Sequence, residues 1–362
     1  MRATSFRPPG APDLVVETPE GLYCPAGGFH IDPWQPVERA VITHAHADHA
    51  RAGHAHYLAS ASSAGVLRAR LGADISLQTL PWRERLAHQG VILSLHPAGH
   101  VLGSAQLRIE QAGRVWVAAG DFRLDGDAGD ENPTCEPFEP VRCDCFITES
   151  TFGLPIYRWP PARAVFAEID AWWHGNAQAG RPSLLLGYSF GKAQRLLAGV
   201  DAGIGPIFVH GAVETLNRAY RAAGIALPAT RLVNEVRDRN DFRGALIVAP
   251  PSAQASSWTR RFASVGGGAS DAFASGWMQL RGTRRRRGVD RGFVLSDHAD
   301  WPGLRRAISE SAAERIIVTH GYEAVLVRWL HEQGLAAASF RTAYGDETLD
   351  GPAGAEAEAG GA

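Results

Sequence analysis

The segment from His44 to His49, with the sequence HAHADH, constrains this chain more than any other feature, because it places four potential metal ligands within six residues. It directly follows residues 40–43, a short, apolar and partly β-branched run that is typical of a buried strand. Alternate residues of an extended chain point the same way, so His44 and His46 can bind one cation together. Asp48 and His49 lie where the chain should turn into a helix, and they can reach a second cation. The alternative is a His-rich surface turn, but four ligand types at this spacing are rare by chance.

Five further apolar, β-rich runs end in, or lead to, a side chain that can bind a metal or move a proton. These side chains are His100, Asp121, Glu149, His298 and His320. In layered α/β proteins, sites form where strand ends and their loops meet, so we expect all of these strand ends to converge on one cleft. Helical periodicity lies between the runs, and the middle of the chain has strands and helices of its own. This pattern predicts an α/β protein with a second α/β domain inserted between the elements of the metal site.

The candidate ligands are sufficient for two cations, which need about six to eight ligands and a bridging group. We predict that one metal is bound by His44, His46 and His100, that the other is bound by Asp48, His49 and His320, and that both are bridged by Asp121. Ligation by His and Asp without Cys suits Zn²⁺ or Mn²⁺, and the sequence does not separate the two. Two such metals, about 3.5–4 Å apart, can hold a hydroxide and a phosphoryl oxygen together for in-line attack on phosphorus.

The composition is that of an ordinary soluble globular protein, with 362 residues, 45% hydrophobic and 20% charged, and a net charge of −2. The sequence shows neither a signal-peptide h-region nor an apolar stretch of membrane-spanning length, so we expect a cytoplasmic protein with no membrane association. None of the four cysteines forms a C-x-x-C pair, which favours free thiols over a zinc knuckle.

Candidate substrate contacts lie in the middle of the chain. Lys192, the single lysine, follows a strand and opens a helix, which predicts a phosphate-binding position. His210 also follows a strand, and is either a second cleft residue or a satisfied strand end. The sharpest basic run is Arg284, Arg285, Arg286 and Arg287. Guanidinium groups suit a nucleic-acid backbone, and the alternative for this run is a solvated charged face.

The motifs carry a resemblance to a known family. The HAHADH segment, the PAGH sequence ending at His100 and the Gly-Asp pair ending at Asp121 resemble the metallo-β-lactamase fold. The sequences TESTFG at 148–153, SDHAD at 296–300 and VTHG at 318–321 are similar to three further motifs of its β-CASP nuclease branch. That branch includes RNA 3′-end-processing endonucleases and DNA-repair nucleases. The resemblance spans residues 21–344, and residues 130–160 and 275–301 are most similar to bacterial ligase-associated DNA exonucleases.

The resemblance implies a metallo-β-lactamase αββα sandwich with an inserted β-CASP α/β domain. The expected divisions are residues 1–156 and 291–345 for the sandwich and 157–290 for the insertion, and the composition of residues 346–362 predicts a disordered tail. The seven predicted ligands match the family's metal-binding positions. His298 would sit beside the scissile phosphate, with its ring held by Glu149. A histidine held by a carboxylate is well placed to protonate a leaving alkoxide.

The predicted function is therefore metal-dependent hydrolysis of phosphodiester bonds in nucleic acid, as a DNA exonuclease in repair, with a DNA ligase and a helicase as partners implied by the resemblance. Three alternatives stay open. An RNA-processing nuclease of the same branch would prefer RNA over DNA. A thioester or lactone hydrolase on the same fold would leave Glu149 and His298 without a role. A non-catalytic nucleic-acid-binding subunit would not need the intact ligand set.

Overall fold

The computed structural model describes residues 12–126, 132–254, 256–282 and 288–343, and all structural statements refer to these residues. The predicted arginine run at 284–287 and the predicted tail at 346–362 lie outside them.

The first six strands form one sheet in chain order. They are β1 (Val16–Thr18), β2 (Gly21–Cys24), β3 (Phe29–Ile31), β4 (Arg39–Val41), β5 (His56–Ser60) and β6 (Leu77–Leu80). Strands β1 to β3 pair antiparallel, whereas β3 to β6 pair parallel. The carboxyl ends of β3 and β4 therefore meet at the same edge, and the HAHADH segment leaves the sheet there.

The next five strands begin the second sheet. They are β7 (Leu86–His88), β8 (Val91–Pro97), β9 (Ala105–Gln111), β10 (Arg114–Ala118) and β11 (Cys145–Ser150). Strands β7 to β10 form an antiparallel meander, and β11 then pairs parallel with β10. After β11 the chain leaves this sheet.

The third sheet is entirely parallel, with the order β14-β13-β15-β12-β16-β17. Its strands are β12 (Ser183–Leu186), β13 (Ile207–Val209), β14 (Arg231–Leu232), β15 (Leu246–Ala249), β16 (Ser270–Ala274) and β17 (Arg291–Phe293). The chain then returns to the second sheet through β18 (Arg315–Gly321) and β19 (Ala336–Ser339). These two strands pair parallel beside β11, which completes the order β19-β18-β11-β10-β9-β8-β7.

Six α-helices lie within the described ranges. They are α1 (Ala64–Leu71), α2 (Ala162–Gln178), α3 (Lys192–Gly199), α4 (Gly211–Ala222), α5 (Trp301–Ser311) and α6 (Glu323–Glu332). Asp300 caps α5 by accepting a hydrogen bond from the Gly303 N–H, and a proline follows in the first turn. No helix in these ranges combines the length and apolarity required to span a membrane.

The core sits in layers. The first two sheets pack against each other through one apolar cluster that includes Leu22, Val41 and Ile317. Helices α5 and α6 cover the other face of the second sheet, and α1 covers the other face of the first. Helices α2, α3 and α4 pack on the third sheet, whose opposite face is covered by short 3-10 turns. The predicted α/β class is confirmed.

The predicted domain divisions after residues 156 and 290 stay predictions. Strand β17 begins directly after the second division, yet it pairs with β16 in the third sheet. The return to the second sheet takes place later in the chain, through the segment that carries His298.

Replacing Ile317 with Ala should lower the free energy of unfolding by about 2–5 kcal/mol, because the side chain is 0% exposed and its removal leaves a cavity between the first two sheets. Urea unfolding measures the change. Val325→Ala is the control: this side chain is 43% exposed, and its loss should cost within about 0.5 kcal/mol. Equal effects of the two changes would contradict the assignment of the core.

Candidate metal centre

Candidate ligands from the first two sheets converge at the carboxyl ends of parallel strands. Asp32 and His44 follow β3 and β4 at one edge of the first sheet. Asp121 follows β10, Glu149 lies near the end of β11, and His320 lies near the end of β18. Because β10, β11 and β18 run parallel, these side chains share one edge of the second sheet.

The first ligand group consists of His44, His46, His100 and Asp121, whose ligand atoms lie within 4.8 Å of one another. The three imidazole rings have centroids 4.9 Å apart in each pairing. His46 Nδ1 lies 3.0 Å from His100 Nε2, and His44 Nε2 lies 3.5 Å from Asp121 Oδ2. Two ligands of a tetrahedral zinc ion are about 3.3 Å apart, so these spacings suit a shared cation.

The second ligand group consists of His49, Asp121 and His320. His320 Nε2 lies 3.2 Å from Asp121 Oδ1, and His49 Nε2 lies 3.5 Å from Asp121 Oδ2. Asp48 is half-buried, with Oδ2 3.8 Å from His49 Nε2. Asp121 is therefore common to both groups, as expected for the predicted bridge. The structure brings all seven predicted ligands together, and their binding of metal stays a proposal.

The loop before His100 depends on a glycine. Gly99 has φ +76°, and a Cβ at this position would lie 2.2 Å from the Arg123 carbonyl oxygen. Only glycine allows this close approach of two main chains. The His100 N–H donates to Ser104 Oγ at 3.0 Å, and this hydrogen bond fixes the main chain at His100.

Protein carbonyl groups orient the rings of the first ligand group through the nitrogen that faces away from it. His100 Nδ1 lies 2.7 Å from the Asp297 carbonyl oxygen, and His46 Nε2 lies 3.2 Å from the Phe190 carbonyl oxygen. A ring nitrogen bonded to a carbonyl carries the proton, so the other nitrogen presents its lone pair. The opposite nitrogens, His100 Nε2 and His46 Nδ1, are the two that lie 3.0 Å apart. Such outer contacts fix the tautomer in metal sites.

Sequence reasoning missed Asp32, which orients the second ligand group. This buried carboxylate lies 2.8 Å from His49 Nδ1, and it accepts hydrogen bonds from the Thr43 N–H at 2.7 Å and hydroxyl at 2.5 Å. Asp32 follows the apolar strand β3 directly, with φ 43°. An apolar run that ends in Asp is the signal that identified the other strand ends, so the same rule could have found it.

The residues fit a divalent cation. His44 Nε2 is buried and forms no hydrogen bond with any described residue. Burial lowers the pKa of His44 well below its usual value and that of His46 to about 4, so both rings are neutral and can donate lone pairs. Imidazole and carboxylate ligands suit zinc and manganese. A buried imidazole nitrogen without a hydrogen bond is costly unless something else binds it.

The second ligand group has the opposite electrostatic character. Burial opposes the charge of His49, but the nearby carboxylates of Asp121 and Asp48 outweigh burial and raise the pKa of His49 to about 10. Burial likewise opposes the charge of His320, and Asp121 raises its pKa. In the metal-free protein these rings carry the protons that a cation would displace.

The Glu149–His298 pair lies beside the ligands. His298 Nδ1 is 3.1 and 3.0 Å from the two carboxylate oxygens of Glu149, and Glu149 Oε1 also accepts from the Phe122 N–H at 2.8 Å. The Trp159 indole donates to the His298 carbonyl oxygen at 2.9 Å. The rings of His298 and His100 have centroids 4.6 Å apart. Glu149 therefore fixes Nδ1, and any proton transfer to substrate falls to Nε2.

Of the predicted substrate contacts, Lys192 and His210 contact other groups of the protein, and the arginine run lies outside the described residues. Lys192 is 3% exposed, and its ammonium lies 2.9 Å from Asp297 Oδ2, so it faces a protein carboxylate where the sequence suggested phosphate. His210 caps α4, with Nδ1 accepting from the Ala212 N–H at 3.2 Å, and its ring packs against Trp258. The arginines at 284–287 lie outside the described residues.

No family model matches the chain. A protein of Opitutus terrae named "Probable DNA ligase" is 34% identical over 326 residues, which cover 89% of this chain and 30% of the relative. The cleavage and polyadenylation specificity factor subunit 3 of Dictyostelium discoideum is 30% identical over 128 residues, which cover 34% of this chain and 16% of the relative. The endoribonuclease YSH1 of Yarrowia lipolytica is 27% identical over 125 residues, or 34% and 14% of the two chains.

One solved structure, a protein of unknown function from Enterococcus faecalis V583, matches with a TM-score of 0.55 at 12% identity, over 83% of this chain and 78% of that one. At this identity the likeness shows the fold alone. The chain spans only 30% of the ligase-named relative and 16% of the polyadenylation factor. Together, the sequence relatives confirm the resemblance to the β-CASP nucleases.

Asp32→Asn should weaken metal binding by about 10- to 100-fold, because the amide removes the negative charge that orients His49 and raises its basicity. Competition against a chelating dye measures the affinity. Glu38→Gln, which changes an exposed carboxylate, is the matched control. Equal affinities for Asp32→Asn and wild type would show that Asp32 does not support the site.

The raised pKa of His49 predicts that its ring is protonated in the metal-free protein at pH 8 and loses the proton as the pH rises through about 10. Nitrogen NMR of ¹⁵N-histidine-labelled protein can follow this titration, and added Zn²⁺ should remove the proton at pH 8. His46 is the internal control, since its pKa of about 4 keeps it neutral throughout this range. A neutral His49 ring at pH 8 without metal would refute the electrostatic description.

Proposed function

The chain belongs to the β-CASP branch of the metallo-β-lactamase-fold nucleases, and from this membership we propose that it hydrolyses phosphodiester bonds in nucleic acid. The first two sheets and the helices that cover their outer faces would then form the four layers of the metallo-β-lactamase αββα sandwich, and the third sheet would be the inserted β-CASP domain. The two ligand groups would hold two divalent cations, Zn²⁺ or Mn²⁺.

The observation that carries this proposal is the position of the Glu149–His298 pair against the ligand groups. Ligand-type atoms of Asp121, Glu149 and His298 lie within 4.8 Å of one another. A proton donor at this distance from the bridging carboxylate can reach an oxygen on a phosphorus bound there. A thioester or lactone hydrolase on the same fold would have no use for this buried, oriented pair.

The chain's own residues supply binding, orientation and a proton. Two bound divalent cations would provide charge stabilisation for a phosphoryl oxygen and an activated water nucleophile. Asp121, between the two ligand groups, fixes the spacing at which the phosphate and the nucleophile meet. As the bond from phosphorus to the leaving sugar oxygen breaks, His298 Nε2 gives its proton to that oxygen. Glu149 keeps the ring in the orientation and tautomer that this transfer requires.

DNA is the proposed substrate, attacked from an end during repair. The relative that matches along 89% of this chain is named "Probable DNA ligase", and most of that relative lies outside the match. A protein that carries both segments would bring strand trimming and strand joining to the same DNA end. A DNA ligase is therefore the proposed partner, and a helicase is a further candidate.

An RNA-processing nuclease is the second candidate function. The polyadenylation factor and endoribonuclease relatives favour it, although each matches only 34% of this chain. Both candidates require the same metal centre, so they differ in the substrate and in whether cleavage starts at an end or occurs internally.

The test is degradation of end-labelled single- and double-stranded DNA and RNA with Zn²⁺ or Mn²⁺ present. Wild type should shorten DNA stepwise from one end. Asp121→Asn should lose activity, because a neutral amide would replace the carboxylate shared by the two ligand groups. His298→Ala should lower kcat by about 10²- to 10⁴-fold, because the proton donor is lost.

Asp241→Asn is the control. This exposed side chain lies between β14 and β15, and its replacement should retain activity. Internal cleavage of RNA would favour the second candidate over the first. If no nucleic acid is cut with either metal, the nuclease proposal fails, and thioesters and lactones become the next substrates.

A further inference from the structure

Three buried charged side chains join helix α3 to the segment that leads to His298. Lys192 and Arg195 lie on α3, and each is 3% exposed. Lys192 Nζ lies 2.9 Å from Asp297 Oδ2, and Arg195 Nη1 lies 2.9 Å from Asp297 Oδ1. Charges buried this deeply persist only when they are paired and hydrogen-bonded, so this triad holds the two segments together in one geometry.

The same two cations also hold the main chain around Asp297. Lys192 Nζ donates to the Leu295 carbonyl oxygen at 2.7 Å, and Arg195 Nη1 donates to the Ser296 carbonyl oxygen at 2.5 Å. Two carbonyl groups and a carboxylate on three consecutive residues are thus bound from α3. The path of this segment after β17 is set by charge-assisted hydrogen bonds, since the strand has already ended.

This segment orients groups at the metal centre. The Asp297 carbonyl oxygen lies 2.7 Å from His100 Nδ1. The Ser296 hydroxyl oxygen accepts from the His298 N–H at 3.1 Å. A shift of the segment would therefore rotate the ring of His100 and move His298 away from the cleft.

The start of α3 reaches the same ligand group by a second route. The Phe190 carbonyl oxygen, in the loop just before α3, lies 3.2 Å from His46 Nε2. The side chain of Gln194 braces this loop: its Oε1 accepts from the Gly191 N–H at 2.9 Å, and its Nε2 donates to the Ser189 carbonyl oxygen at 3.0 Å. Two of the three histidines in the first ligand group are therefore oriented from α3.

We propose that Lys192, Arg195 and Asp297 are positioning residues through which the third sheet's helix α3 sets the geometry of the first ligand group and of His298. The charge on Lys192 acts on a protein carboxylate, and the phosphate of the substrate is not its partner. The proposal rests on the proposed nuclease function for its kinetic test only, because its effect on metal affinity can be measured without any substrate.

The test compares Lys192→Met with Lys192→Arg in the full chain, by titrating Zn²⁺ and Mn²⁺ against a chelating dye and by measuring kcat and KM on end-labelled DNA. Lys192→Met should weaken one of the two metal equivalents by about 10- to 100-fold and lower kcat by a similar factor, with KM changed by less than about twofold. Lys192→Arg keeps the charge and should therefore retain most of the metal affinity and most of kcat.

Arg328→Met is the matched control, since it removes a cation from an exposed helical ion pair whose arginine is 83% exposed. It should leave metal affinity, kcat and KM unchanged. A raised KM with kcat and metal affinity unchanged would identify Lys192 as a phosphate contact and overturn the proposal. A lower unfolding temperature with both metal affinities intact would also overturn it.

If Lys192→Met does not fold, Lys192→Gln carries the same metal titration, because its amide can still donate a hydrogen bond but cannot form the ion pair. If wild type binds two metals but cuts no nucleic acid, the nuclease proposal fails separately, and the metal titration alone decides the positioning role.

Discussion

The rest of the site depends on the contacts between the Asp121 carboxylate and the surrounding histidine rings. Its two oxygens lie within 3.9 Å of ring nitrogens from four histidines, which come from two different loops and one strand. Burial alone would raise the pKa of Asp121, but the protonated rings of His49 and His320 hold it well below its usual range. A carboxylate this deeply buried needs positive charge beside it. The fold supplies that charge as protons on histidine, which a divalent cation can replace.

The sheets deliver these groups because parallel strands end at a common edge. In the first sheet β3 and β4 bring Asp32 and the HAHADH segment together, and in the second sheet β10, β11 and β18 align Asp121, Glu149 and His320. The apolar cluster between the two sheets holds these edges in register. The third sheet then supports the site from outside, through carbonyl contacts to histidine and the buried ion pairs of α3. Ligand geometry is thus a property of all three sheets together.

Sequence patterns predicted the strand ends well, because each apolar run and its terminal ligand lie next to each other in the chain. Apolar periodicity in residues 162–173 indicates a helix, but helix α2 continues to Gln178 because its last turns pack on the third sheet. The apolar run at residues 292–297 indicates a strand that leads to His298, but β17 ends at Phe293 because the following residues bind α3 instead of a neighbouring strand. The partner of Lys192 could not be foreseen: Asp297 lies far along the chain, and a local helix-start pattern carries no information about such a contact.

The most direct test of the account is a metal titration of activity. Metal-free protein would receive increasing Mn²⁺ or Zn²⁺ while the release of nucleotides from end-labelled DNA is followed. We expect activity to rise with added metal and to reach its plateau at about two equivalents per chain, one for each ligand group that shares Asp121. Hydrolysis that persists in the metal-free protein, or that does not respond to metal, would contradict the central claim that this buried cluster is the catalytic centre.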